Sequence, residues 1–179
     1  MTKYAALIRG IGPGDPNMTN EKLRDVCESL GFQDVQTVIS SGNVLFETDS
    51  TNPSDLETTL EEAWRRELGF ERSTMIRSRD QLQDLADSNP FGDLEHGRET
   101  YLLVTFAKRP LSIDFDLPHQ PPDRDYSILG GTDRELFTVT DTTSIGTPDV
   151  MAWLESRFGK DITSRTWLTV HRILKRMCG

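Results

Sequence analysis

The chain has 179 residues, of which 35% are hydrophobic, and its 29 acidic and 20 basic side chains give a formal net charge of −9. Apolar runs recur along the whole length, which argues against global disorder, and none approaches the roughly 20 residues that a membrane-spanning helix needs. The negative charge disfavours nonspecific binding to nucleic-acid phosphates, because like charges repel.

The cellular compartment is the next property that the sequence addresses. Met1 leads directly into the segment from Lys3 to Ile8, without the apolar core or cleavage site of a signal peptide, so we expect a cytoplasmic protein. Two cysteines do not make a disulfide framework, and we interpret Cys27 and Cys178 as thiols. The acidic, lysine-poor composition is open to two explanations: a salt-rich cytoplasm, or a genome that favours arginine over lysine.

The first half of the chain alternates helical and strand periods. In chain order, the predicted elements are a strand at 3–9, a helix capped by Thr19 or Asn20 and ended by Gly31, hairpin strands at 35–40 and 44–47, a helix opened by the capping box Ser54–Glu57 and ended by Gly69, and a strand at 73–77. This β-α-β-β-α-β order is that of the ferredoxin-like fold, in which two helices cover one face of an antiparallel sheet.

The second half has a weaker pattern. In chain order, we predict a helix from Ser78 closed by Asn89-Pro90, a strand at 100–107, a proline-rich loop from Pro110 to Asp125, hairpin strands at 126–129 and 135–140, a helix begun by Thr147-Pro148, and a last helix from about Thr166 to Met177. The order of this looser half is β-β-β-α-α. The predicted fold class is therefore α+β, with two ferredoxin-like halves at 1–78 and 79–179, each an antiparallel sheet backed by helices.

Several ordered motifs point to a known family. They are Leu7 to Ile11, Leu30 to Phe32, Val35 to Thr37, Ser41 to Phe46, Asn89-Pro90-Phe91 and Thr163 to Val170. Together they span nearly the whole chain and resemble the domain-of-unknown-function 1697 family, whose pattern includes L-R-G-I-N-V-G-G, L-G-F, S-G-N-V-x-F, N-P-F and T-x-R-N-W-x-T-V. The resemblance implies a two-part α+β fold with ferredoxin-like halves, and it carries no established activity.

The chain departs from the family pattern at several places. Gly12 and Thr166 stand where the family has asparagine, and Asp15 stands where it has a glycine. The helix usually found between the first two strands of the second half is reduced to the proline-rich stretch from Leu117 to Asp123. A site that needs those amides is altered or lacking in this chain.

Three segments are candidates for a shared ligand pocket. Glycines in the loop from Arg9 to Asp15 allow backbone N–H groups to approach an anion, and the turn at 41–43 adds a hydroxyl and an amide. A guanidinium and an indole near the last helix suit a carboxylate or phosphate attached to a flat ring. The predicted ligand-binding residues are Arg9, Gly10, Gly12, Ser41, Gly42, Asn43, Arg165 and Trp167. Each segment also has a purely structural interpretation: a strand-to-helix turn, a hairpin turn, and a tryptophan that anchors a helix.

For two further groups of residues, we favour a solvent-exposed, non-functional role over a binding site. Asp114, Asp116 and His119 have the chemistry of metal ligands, but they lie in an aspartate-rich, proline-rich loop, and we predict no metal site. Arginines crowd 65–79, and Arg172, Lys175 and Arg176 crowd the last helix. The aromatic pattern of ferredoxin-like RNA-binding domains is missing around Val44 to Phe46, so we interpret both clusters as solvated charge.

No sequence feature identifies a reaction, a substrate or a cofactor, so whether the protein is an enzyme stays open. The leading hypothesis is that it binds a small anionic ligand in a pocket formed by the three segments. One alternative is a non-catalytic interaction or assembly module that docks through a sheet face or edge, as a monomer or a homodimer. Another is a nucleic-acid adaptor, which the net charge disfavours.

Overall fold

The computed structural model of the protein describes residues 1–12, 14–143 and 149–179. The strands in these ranges are β1 (Thr2–Ile8), β2 (Gln33–Thr37), β3 (Asn43–Thr48), β4 (Thr74–Ser78), β5 (Tyr101–Ala107), β6 (Tyr126–Gly131), β7 (Glu135–Thr140) and β8 (Ile162–Thr166). The helices are α1 (Asn20–Ser29), α2 (Pro53–Ala63), α3 (Arg79–Asp87), α4 (Val150–Phe158) and α5 (Trp167–Cys178), and a π-helical turn (Trp64–Leu68) extends α2. None of the described helices is both long enough and apolar enough to cross a membrane.

Contacts divide the chain into two compact units. Unit 1 comprises Met1–Asp84 and Arg172–Gly179, and unit 2 comprises Leu85–His171. The predicted division at 78/79 into two domains stays a prediction.

Unit 1 has the predicted ferredoxin-like sheet. Its four strands are antiparallel in the order β2-β3-β1-β4. Alternate side chains of β1, namely Tyr4, Ala6 and Ile8, belong to one hydrophobic core with apolar residues of α1 and α2, because successive side chains of a strand point to opposite faces. Phe32 stacks on Phe46 in this core, with ring centroids 4.3 Å apart.

The helix starts in unit 1 follow capping chemistry. Thr19 is the cap of α1, one of the two residues predicted for it, and its hydroxyl accepts a hydrogen bond from the backbone N–H of Lys22 at 3.3 Å. The predicted start of the second helix at Ser54 is wrong: Asn52 is the cap and accepts from the Ser54 N–H at 3.1 Å, and Pro53 is the first helical residue. Asparagine is a preferred cap and proline suits the first helical position, so this pair takes precedence over the capping box.

The hairpin of unit 1 differs from its predicted boundaries. β2 begins two residues earlier and ends three residues earlier than the predicted strand at 35–40, which leaves Val38 to Gly42 as the hairpin loop. Asp34 and Ile39 have left-handed backbones, with φ of 47° and 50°, and the register of β2 against β3 shifts between Gln33 and Gln36. Such a bulge bends a strand and ends its regular pairing.

Unit 2 repeats the strand order of unit 1, as β6-β7-β5-β8. The fourth strand, β8, corrects the predicted β-β-β-α-α order of the second half. Its sequence Ile-Thr-Ser-Arg-Thr shows no apolar alternation, because the buried side chains at Thr163 and Arg165 are polar. Arg165 pairs with Val104 of β5 in the antiparallel register. Arg165 therefore lies near the start of the last helix, as predicted, but in the strand that immediately precedes it.

The proline-rich segment of unit 2 forms no helix between Pro110 and Asp125, in agreement with the predicted loop. Leu111, Ile113, Phe115 and Leu117 are half-buried and pack on the core of unit 2, and the residues between them are exposed. His119 exchanges both backbone hydrogen bonds with Ile128, at 2.8 and 2.7 Å. The predicted helix start at Thr147-Pro148 lies outside the described residues; helix α4 is described from Val150, with Asp149 as its cap.

Candidate functional site

Two of the three predicted site segments meet in unit 1. The backbone N–H of Ile8, which precedes the glycine-bearing loop, donates to the carbonyl oxygen of Gly42 at 2.8 Å. Gly42 has φ of 76°, and a Cβ placed there would lie 2.5 Å from Ile11 Cγ1 and 2.9 Å from the Ile8 carbonyl oxygen. Glycine is thus required at this position both by backbone conformation and by the close approach of the loop.

The polar side chains of the turn stabilise the hairpin itself. Asn43 is fully buried, and its amide donates to the carbonyl oxygen of Val38 and to the hydroxyl of Ser41, each at 3.0 Å. The backbone N–H of Val38 donates in return to the Asn43 carbonyl oxygen at 3.0 Å. The Ser41-Gly42-Asn43 segment therefore holds the shape of the loop that precedes it.

The glycine-bearing loop is held by its own hydrogen bonds. Gly10 has φ of 66°, and Arg72 Nε donates to its carbonyl oxygen at 3.5 Å. The Asp15 carboxylate accepts from the Asn17 N–H at 2.8 Å, which gives this charge a local structural role. Among the described residues, no atom beyond its chain neighbours lies within 4 Å of a Cβ position at Gly12, so this position has room for the asparagine of the family pattern.

Arg165 and Trp167 belong to unit 2. Arg165 is 7% exposed, and its Nη1 donates to the Thr163 hydroxyl at 2.7 Å and to the Ser164 carbonyl oxygen at 2.9 Å. Burial lowers the pKa of this guanidinium to about 10, because removal from water disfavours the charged form. Trp167 is half-buried and packs edge-on against Phe91, with ring centroids 5.3 Å apart. A pocket that joins these two residues to the loop and turn of unit 1 stays a prediction.

A cavity of about 630 Å³ lies within unit 1, between the end of β2 and the end of α5. We name it the basic groove; it is lined by Gln36, Thr37, Val38, Ile39, Arg172, Lys175, Arg176 and Gly179. The three cationic residues have the i, i+3, i+4 spacing that places side chains on one helix face. All three are exposed, whereas Ile173, Leu174 and Met177 on the opposite face are buried.

The lining of the basic groove is positively charged, and two of its three cations, Lys175 and Arg176, lie in the last turn of α5, where the negative end of the helix dipole also stabilises them. No acidic side chain is among its lining residues, and within the described part of the chain none of its three cations forms an ion pair. Like charges at these spacings repel each other by about 0.2–0.5 kcal/mol per pair. An anion in the groove would remove this repulsion.

The turn predicted as a ligand site supports one wall of the basic groove. Asn43 fixes Val38 through the hydrogen bonds described above, and Asn20 Nδ2 donates to the Ile39 carbonyl oxygen at 3.2 Å. The sequence showed the basic cluster on the last helix, which we interpreted as solvated charge. No local signal marks 36–39 as its partner, because the two segments are far apart along the chain.

Comparison with known proteins gives the family. A family model described as "Protein of unknown function (DUF1697)" matches residues 1–127. The chain belongs to this family. The DUF1697 resemblance of the sequence motifs is thus confirmed, and no curated protein matches the chain in sequence.

One solved structure has the same fold as this DUF1697 protein. The conserved bacterial protein SP0830 from Streptococcus pneumoniae matches with a TM-score of 0.75 and 21% sequence identity, over 100% of this chain and 99% of that chain. At this identity the likeness shows the fold alone, which agrees with two four-stranded antiparallel sheets backed by helices.

In this DUF1697 protein, side chains cover one outer edge of the unit 1 sheet. β4 is an outer strand, and its alternate backbone N–H groups donate to side-chain oxygens: Thr74 to Glu61 at 2.8 Å, Ile76 to Glu57 at 3.0 Å and Ser78 to Gln81 at 2.8 Å. Another strand would need these N–H groups in order to pair with β4. Docking of a partner strand along β4 is therefore disfavoured.

Proposed function

We propose that this protein binds a small anionic ligand in the basic groove of unit 1. The observation that carries the proposal is the combination of three exposed cations on one face of α5, which form no ion pair with any described residue, with a cavity whose described lining contains no acidic side chain. Arginine guanidinium groups bind phosphate and carboxylate through paired hydrogen bonds, and the lysine adds a mobile point charge.

The net charge of −9 does not prevent binding at this place. Exposed charges more than about 8–10 Å away are largely screened at physiological ionic strength, so the nearby cations dominate the field inside the groove. The same net charge opposes long polyanions, which would extend over the acidic surface. The proposal therefore favours a small ligand over a nucleic acid.

The predicted turn has a supporting role in this proposal. Asn43 would act as a positioning residue, because it holds Val38 and the loop that lines the groove, and Gly42 permits the required backbone. Arg9, Gly10 and Gly12 would belong to the neighbouring loop, and they do not line the basic groove.

Isothermal titration calorimetry and thermal shift with inorganic phosphate test the proposal. Ionic strength is kept constant with sodium chloride, because phosphate salts also stabilise proteins by exclusion from the surface. A ligand at 100 times its Kd stabilises the native state by about 2.7 kcal/mol, which raises the Tm of a protein of this size by about 5–10 °C. We expect this shift in the wild type and its loss in the double variant Arg172→Gln, Arg176→Gln.

The control is Arg66→Gln, which removes one exposed cation that is paired with the adjacent Glu67 at 2.6 Å. It should bind phosphate as the wild type does.

Arg165→Ala tests the pocket predicted from the sequence. If Arg165→Ala abolishes the heat of binding and the double variant retains it, the ligand binds at that pocket and not in the basic groove. If the wild type binds none of the anions phosphate, sulfate and citrate, the proposed function is wrong.

A further inference from the structure

The wall of the basic groove contains a strained apolar residue. Ile39 lines the groove, its side chain is 41% exposed, and its backbone has φ of 50°. A left-handed backbone is a true outlier for a β-branched residue, because the branched side chain collides with its own main chain. Asparagine or glycine would fit this position without strain, so the sequence keeps isoleucine here at a loss of stability.

The surrounding contacts impose the strained conformation. Asn20 Nδ2 donates to the Ile39 carbonyl oxygen at 3.2 Å, and the Val38 N–H donates to Asn43 on the far side of the loop at 3.0 Å. These hydrogen bonds hold the loop, and it presents Ile39 at the cavity that the α5 cations line. Strained residues held in this way cluster at ligand sites, where the strain is retained for its function.

The basic groove thus combines two kinds of surface. One wall is cationic, formed by Arg172, Lys175 and Arg176, and the other carries the apolar side chains of Val38 and Ile39. Its volume of about 630 Å³ is in the range of sites that hold a whole cofactor or metabolite, and an inorganic phosphate would fill only a small part of it. A ligand that matches the groove has a phosphate at one end and an apolar group at the other.

We infer that the basic groove binds a nucleoside monophosphate, with the phosphate on the α5 cations and the flat base against Ile39. This inference rests on the proposed function, since it names the ligand class for the same site. A base has an apolar face that packs on an aliphatic side chain, and a guanidinium can stack on the same ring, whereas a sugar phosphate offers neither contact. The ligand is a free nucleotide and not a polymer, because the acidic surface repels further phosphates.

Calorimetric titrations with AMP, ribose 5-phosphate, inorganic phosphate and adenosine test the inference on the full chain. We expect AMP to bind at least tenfold more tightly than ribose 5-phosphate, and adenosine to bind more weakly than AMP. Arg172→Gln should weaken all three phosphates, since it removes the shared contact.

Substitutions at Ile39 separate the base contact from a structural role. Ile39→Asn fits the left-handed backbone, so it should keep or raise the Tm, and it should reduce the preference of AMP over ribose 5-phosphate to near one. Ile39→Val keeps the β-branched apolar surface and the strain, so it should retain the preference. A residue that matters only for the loop would change the Tm and leave this ratio unchanged.

The outcomes distinguish this inference from the proposed function. Equal affinities of the wild type for all three phosphates would overturn the nucleotide assignment and leave anion binding intact. No binding of any phosphate would overturn both. An adenosine hexanucleotide that binds more than tenfold tighter than AMP, with an affinity that falls steeply with salt, would overturn the assignment of a small ligand in favour of single-stranded nucleic acid.

Discussion

Gly42→Ala should destabilise the protein strongly, because alanine conflicts with both the backbone and the neighbours of this turn. The left-handed φ of 76° disfavours a residue with a Cβ by roughly 1–2 kcal/mol. The new methyl group would lie 2.9 Å from the Ile8 carbonyl oxygen, which is part of strand β1 and cannot move aside as a flexible side chain can. Overpacking of this kind adds about 1–3 kcal/mol.

The net change in the free energy of unfolding combines these two costs with an effect of alanine on the unfolded chain. Alanine reduces the entropy of the unfolded state, which restores about 0.4–1 kcal/mol. The expected loss in the free energy of unfolding is therefore about 3 kcal/mol. For a protein of this length it corresponds to a fall in Tm on the order of 6–12 °C.

Urea denaturation followed by circular dichroism measures this loss, and Gly12→Ala is the matched control. A Cβ at Gly12 would have no atom of the described residues within 4 Å beyond its chain neighbours, and the φ of Gly12 lies outside the left-handed region, so its variant should lie within about 0.5 kcal/mol of the wild type. If the two variants are equally stable, the close approach of the loop and turn is not a determinant of the fold.

Three further predictions follow from single side chains. Glu57→Ala leaves a buried N–H of β4 without its acceptor and should lower the free energy of unfolding by about 1–3 kcal/mol in urea denaturation. Hydrogen bonds from the Thr143 backbone and hydroxyl hold the pKa of Asp141 below its ordinary value, so Thr143→Ala should raise that pKa in a carbon-13 NMR titration. In the native protein a maleimide should modify Cys178 and spare Cys27, because burial raises the pKa of the Cys27 thiol and excludes the reagent.

The Glu57 prediction has a matched control, and each of the three predictions has a result that would contradict it. Glu62→Ala removes an exposed carboxylate from the same helix and should be near neutral, so an equal loss in both variants would show that the β4 contact does not matter. Because the pKa of Asp141 is lowered in the folded state, its contribution to stability is present at neutral pH and is lost as the pH falls through its folded pKa. If the pKa of Asp141 is unchanged in Thr143→Ala, the hydroxyl of Thr143 is not a cause of the lowered pKa. Modification of both thiols in the native protein would contradict the burial of Cys27.

Local sequence signals are sufficient to predict a helix, strand or turn that is specified by its own residues. The cap at Thr19, the glycine after α1 and the apolar periodicity of the first half predict its strands and helices, and the hairpin was predicted from the Ser41-Gly42-Asn43 turn. The family followed from motifs of the same kind. These features depend on interactions between residues close in the chain, so they can be recognised without knowledge of the fold.

Features that depend on residues far apart in the sequence are determined by the tertiary structure. β8 forms because β5 provides a pairing partner, although its own residues lack the apolar alternation of a strand. Pairing in this strand also buries Arg165, which the sequence presented as a candidate for ligand contact. The basic groove exists only because the fold brings the end of β2 to the end of α5. The sequence specifies the charges of Arg172 and its neighbours, but only long-range packing determines that they line a cavity beside Ile39.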